Sequence, residues 1–280
     1  MSLELQIILP GMLACLLLTG FLSYLGLHVL AREVIFVDIA LAQIAALGTA
    51  VASWRGVEPH TPESWVWSLG FTFGGAALFA LTRGVRKQVP QEAFIGITYA
   101  VAAATAIMIA HYHPHGDEAI KEILVGSLLT VTVREVGVTA AIFAVLAVVH
   151  VVFRRRFLSM SFEHARDDDS ARAMLWDLLF YATFGVVITS SVQMAGVLLV
   201  FSFLIVPAVF SALFTKRLPV RLAMAWVLGA VVSVIGLWGS FKLDLPTGAT
   251  VVVTFGVALL LGAVARLALP RAGVLPSSGA

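Results

Sequence analysis

The sequence predicts an all-α protein, a polytopic membrane bundle of about nine transmembrane helices. Three observations carry this. Of 280 residues, 60% are hydrophobic and 12% charged, whereas a soluble domain is roughly 45–50% apolar and about 25% charged. Runs free of Asp, Glu, Lys and Arg cover 5–31, 65–82, 93–116, 136–153, 178–215, 222–241 and 245–265, each close to or beyond the roughly 20 residues that cross a hydrocarbon core. The basic residues gather between those runs so that 14 of the 18 fall on one side.

The first run opens without a basic n-region and continues past cleavable length, so it reads as a retained first span at 5–29. The second, 34–54, carries Asp38 and Gln43; polar groups in lipid are costly, so both should face protein or water. Spans follow at 65–82, 93–113 and 135–153. The run 178–215 is too long for one crossing, and Ser190, Ser191 and Gln193 mark a polar midpoint that divides it into 176–191 and 193–215. The last two spans are 222–241 and 247–267. Between the fourth and fifth, 117–134 has an apolar centre too short to cross and reads as a re-entrant or interfacial helix. Residues 1–269 thus form one transmembrane domain, and the Pro/Ser/Gly-rich 270–280 a disordered tail. Trp65, Trp67, Trp176 and Trp238 fall near span ends, as an aromatic belt would.

Arg32, Arg83, the basic pair at 86 and 87, and Arg154–Arg156 belong to the majority side, and Arg55, Lys121, Arg134 and Lys242 to the other. The positive-inside rule makes the first side cytoplasmic, with the N-terminus outside and the C-terminus inside. A formal charge of +2 gives no reason to expect nucleic acid, and a single Cys15 excludes an intrachain disulfide or thiolate cluster. Gly-x-x-x-x-Gly-Lys-Ser/Thr, His-Glu-x-x-His and Gly-x-Ser-x-Gly do not occur. The chain therefore has no P-loop of its own, and energy, if used, comes from a partner. A transport subunit, not an enzyme, is the leading class.

The segment from Met194 to Ala208, Met-Ala-Gly-Val-Leu-Leu-Val-Phe-Ser-Phe-Leu-Ile-Val-Pro-Ala, is followed by Leu243-Asp-Leu-Pro-Thr-Gly-Ala-Thr-Val251. Together with Leu9-Pro-Gly11, the spacing to Leu41 and Gly48, Gly126-Ser-Leu-Leu-Thr-Val and Ser161-Phe-Glu163, these residues resemble the permeases of ATP-driven zinc, manganese and iron importers. The resemblance implies an ABC importer permease fold in a bacterial inner membrane. It also implies a homodimer with two cytoplasmic ATP-binding cassette subunits and an extracytoplasmic substrate-binding protein. No covalent cofactor is implied: ATP is used by the partner, and a divalent metal ion is the cargo. Zinc and manganese members carry Gly-Asp-x-Leu-x-His in the second span; here Asp38, Ile39 and Gln43 occupy the glycine, aspartate and histidine slots. Asp38 and Gln43 stand about 140° apart around a helix, so they do not replace the lost pair. A chelated metal or other small solute, or a partner-free secondary transporter or channel, remains the alternative.

Four groups of candidate site residues emerge. Asp38 and Gln43 are assigned to the translocation path. So are Gly196 and Pro207, because a glycine admits close backbone approach and a proline removes a donor, letting the helix break beside a cavity; the plainer alternative is a kinked packing helix. His111, His113 and His115, followed by Asp117 and Glu118, form an external tract able to hold a transition metal, or else a solvated loop. In the inner loop 154–174, Ser161, Phe162, Glu163, His164 and Ala165 are assigned to ATPase coupling by the resemblance, with Ser161 capping a short surface helix. His150 and Asp177 lie near the inner interface and are given structural roles.

Overall fold

The structure, a computed structural model, describes residues 3–58, 61–85, 88–111, 128, 130–162 and 171–268. Among these residues there are ten α-helices and no strand: α1 Leu3–Arg32, α2 Val37–Trp54, α3 Pro62–Leu81, α4 Gln91–Ala110, α5 Val133–Val152, α6 Arg154–Phe162, α7 Ala171–Ala195, α8 Val197–Phe214, α9 Leu218–Leu243 and α10 Thr247–Ala268. All but α6 are long and apolar enough to cross a membrane, which gives nine candidate spans.

Local chemistry sets many of the ends. Thr61 opens α3 by accepting from the Ser64 amide, with Pro62 at the first helical position, where no donor is missed. Thr132 and Glu135 close a reciprocal capping box at the start of α5. Asp244 ends α9 in the left-handed region, at φ 54°, and Pro246 stands just before the next helix.

The division of the long run 178–215 differs from expectation. Ser190 and Ser191 are not at a turn but buried inside α7, and the break comes at Gly196. A helix tolerates Ser191 because its hydroxyl donates to the Val187 carbonyl at 2.7 Å, one turn back. Gly196 adopts φ 77° and ψ 161°, a backbone that only glycine enters readily, so α7 turns into α8 at a single residue. Nor does the chain break at Pro207, which sits within a continuous α8.

The helices pack in two groups that share α7 and α8 as their seam. α2 lies against α3 and α4, and α3 against α7; α1 lies against α8 and α9, and α10 closes on α8 and α9. At Gly26 a Cβ would stand 1.9 Å from the Leu204 carbonyl oxygen, so α1 and α8 touch backbone to backbone. Such crossings are common where lipid offers no hydrophobic gain and close van der Waals packing must supply the association. α4, α5 and α10 keep most of their length exposed, through residues such as Ile97, Val101, Val145, Val148, Leu260 and Val264. Polar side chains turn inward instead, among them Ser23, His28, Thr72, Thr189 and Ser202. This inside-out pattern is what a hydrocarbon solvent selects.

Most of the predicted short helix in 117–134 lies outside the described residues. Leu128 is buried, with its carbonyl oxygen against Gly11 of α1. The predicted tail 270–280 also lies outside them.

Candidate functional site

Two polar regions occupy the interior. The first is on α2, which is buried almost all round. Asp38 sits in its first turn, 2% exposed, and neither carboxylate oxygen has a hydrogen-bond partner among the described residues. Gln43, more than one turn further on, is buried as well. Both side chains therefore face protein, not lipid. Glu92, at the start of α4, reaches back to the Phe36 amide at 3.2 Å, two residues before Asp38. Two acids thus stand near the same end of α2. Ser68 of α3 donates to the Ala45 carbonyl at 3.0 Å, and the Thr72 and Thr189 hydroxyls meet at 3.0 Å, joining α2 to α3 and α3 to α7.

The second region is at the end of the bundle where α1 and α3 finish and α7 begins. Arg32, in the last turn of α1, donates through Nη1 to Asp177 Oδ1 at 2.8 Å, and Arg83, just after α3, donates to the other Asp177 oxygen. Arg32 Nε also donates to the Ser161 hydroxyl at 2.9 Å, and that hydroxyl lies 2.8 Å from His28 Nδ1. The guanidinium carbon rests 3.8 Å from the centroid of the Phe180 ring. All five polar side chains are buried. Desolvating such charges is tolerable only because geometry and hydrogen bonds are good, and removing one partner of a buried pair costs about 3–5 kcal/mol.

A chain of neutral contacts runs on from there. Tyr24 bonds His150 Nδ1 at 3.2 Å, His150 Nε2 meets the Thr183 hydroxyl at 3.0 Å, and Phe157 of α6 stacks on the imidazole at 4.6 Å. His150 and Asp177 are both buried and hydrogen-bonded within the protein.

The sequence candidates separate accordingly. Ser161 is not the cap of a surface helix: it falls in the last turn of α6, 3% exposed, with its hydroxyl committed to Arg32 and His28. The reason is that Arg154–Arg156 already begin a helix after Phe153, so Ser161 arrives at its end facing α1. Phe162 is half-exposed and edges onto His28 at 5.5 Å. Glu163, His164 and Ala165 lie outside the described residues, as do His113 and His115. His111 is the exposed residue that ends α4. Gly196 and Pro207 are both buried in the seam. In the sequence Arg32 and Arg83 are only inner-side positive charges; Asp177, an acid on that same side set at the start of an apolar span, was the signal that could have paired them.

The described residues form a helical bundle with nine candidate spans, apolar outer walls and buried polar side chains. The chain matches the ABC 3 transport family over residues 4–266 and belongs to it. It is 26% identical over 247 residues to the manganese transport system membrane protein MntC of Listeria innocua, covering 85% of each chain. It is 25% identical over 270 residues to a probable iron transport system membrane protein of Haemophilus influenzae, covering 95% of this chain and 92% of that one. Its fold matches a chain in the structure of PsaBC from Streptococcus pneumoniae in complex with Fab, with a TM-score of 0.75, 19% identity and 92% of each chain covered. The protein is therefore a multi-pass transmembrane subunit of an ABC transporter and not an enzyme.

Proposed function

We propose that the chain is the permease of an ATP-driven importer of a divalent transition metal, of the manganese, iron or zinc class. The observation that carries the reading is the family match across residues 4–266, with relatives named for manganese and iron transport along 85–95% of the chain. It works as a homodimer with two cytoplasmic ATP-binding cassette subunits and an extracytoplasmic substrate-binding protein. Its N-terminus is outside and its C-terminus cytoplasmic. Segment 161–174 meets the ATPase, and Asp38, Gln43, Gly196 and Pro207 border the route. The bound protein delivers the ion to the outer face, nucleotide-driven closure of the ATPases reorients the helices, and the ion leaves inward.

A second reading, import of a chelated metal, is favoured by Ile39 and Gln43 in the slots where relatives of the resembled type carry Asp and His. Uptake by proteoliposomes holding the complete complex separates the two. ATP-dependent entry of manganese(II) alone supports the first, and entry only with a chelator supports the second. A cysteine at position 43 should react with a small aqueous thiol reagent in at least one nucleotide state. Protection in every state, with full transport by Gln43→Leu, would remove Gln43 from the route.

A further inference from the structure

One guanidinium holds two parts of the chain that a single connection joins. Arg32 Nε takes Ser161 at 2.9 Å, and Arg32 Nη1 takes Asp177 at 2.8 Å. Ser161 is in the last turn of α6 and Asp177 in the second turn of α7, so the two contacts fall on the two stems of the connection between those helices. A planar fork suits this task, because its donors are fixed relative to one another and cannot follow the stems independently. The Phe180 ring packs against it, 3.8 Å from the guanidinium carbon to the ring centroid. Asp177 passes the link to Arg83 and hence to α3, and His28 ties the same hydroxyl one turn further into α1.

We infer that Arg32 is the positioning residue that carries displacement of the α6–α7 connection to the inner ends of α1 and α3. This rests on the reading of segment 161–174 as the ATPase contact. Closely packed groups joined by several hydrogen bonds do not stretch continuously, so a push on either stem moves the clasp as a body. α1 packs on α8 and α9, and α3 on α2 and α7, so the clasp reaches both groups of helices.

The test uses the whole complex in proteoliposomes, with ATP hydrolysis and manganese(II) uptake measured on the same vesicles for wild type, Ser161→Ala, Ser161→Thr and Arg32→Lys. Ser161→Ala deletes one oxygen and leaves the ion pairs in place; Arg32→Lys keeps the charge and loses the fork. The expected result is hydrolysis within twofold of wild type, with ions moved per ATP down at least fivefold in Ser161→Ala and Arg32→Lys. Ser161→Thr, which keeps the hydroxyl, restores the ratio. An unchanged ratio in Ser161→Ala, or a proportional fall in hydrolysis and uptake, overturns the inference. Should Arg32→Lys fail to assemble, Ser161→Ala still decides. Absence of manganese uptake by the wild type counts against the proposed cargo, and the clasp is then read by thiol labelling. Gln43→Cys in a Cys15→Ser background should change reactivity between nucleotide-free and vanadate-trapped states, and Ser161→Ala should abolish that change; a change that persists overturns the inference.

Discussion

Single atoms decide the closest contacts in this bundle. Along α1, Gly26 and Gly20 are indistinguishable as letters, yet a Cβ on Gly26 would meet the Leu204 carbonyl at 1.9 Å and one on Gly20 would meet nothing within 4 Å. Gly26→Val should therefore force α1 and α8 apart and destabilise the permease by about 1–3 kcal/mol or more, read as a lower melting temperature of the detergent-solubilised protein. Gly20→Ala should leave it unchanged or slightly raise it, since alanine is the better helix former. Equal melting of the two variants would show that the crossing is looser than the backbone contact implies. The same scale explains why Asp177 was hard to read in the sequence. Its neighbours Trp176 and Leu178 say only that a helix has begun, whereas its partners come from positions 32 and 83.

At the scale of elements, connections carry the tests. The tract His111, His113 and His115 follows directly from the end of α4. Neutral imidazole binds first-row metals and imidazolium does not, so a site there should weaken as the pH falls. Replacing all three histidines by alanine should reduce metal uptake at limiting concentration, most at neutral pH and least in acid; uptake equal to wild type at every pH would leave the tract a plain connector. Segment 161–174 is the other case. Glu163→Arg should separate ATP hydrolysis from transport while insertion into the membrane stays normal, and unaltered coupling in proteoliposomes would remove Glu163 from the ATPase contact. The spans themselves were largely legible, because apolar length is a property of consecutive residues. The exception is instructive: polar serines suggested a turn near 190, but serine can return its hydroxyl to its own helix, and the chain turns at Gly196, the residue whose backbone permits it.

For the whole molecule, orientation is the main prediction. Arg32, Arg83, Ser161 and Asp177 meet at one end of the bundle, and Arg266 of α10 donates to the Leu213 carbonyl at 3.0 Å. At the other sequence-assigned side, Arg55 lies over Trp67 and Lys242 over Trp238. By the positive-inside rule the first end is cytoplasmic. Reporter fusions after Thr215 should be active on the cytoplasmic side and fusions after Lys242 on the outer side; the reverse pattern would invert the proposed direction. The sequence by itself determined the class of fold, the approximate course of nine spans and the family resemblance, because each depends on local composition or on ordered motifs. Tertiary structure alone decided which inner-side charges pair, that Ser161 is interior, and where two helices touch backbone to backbone. Those contacts join residues more than ninety positions apart, through helix faces that apolar composition leaves nearly indistinguishable in a membrane, where the outside is as hydrophobic as the core.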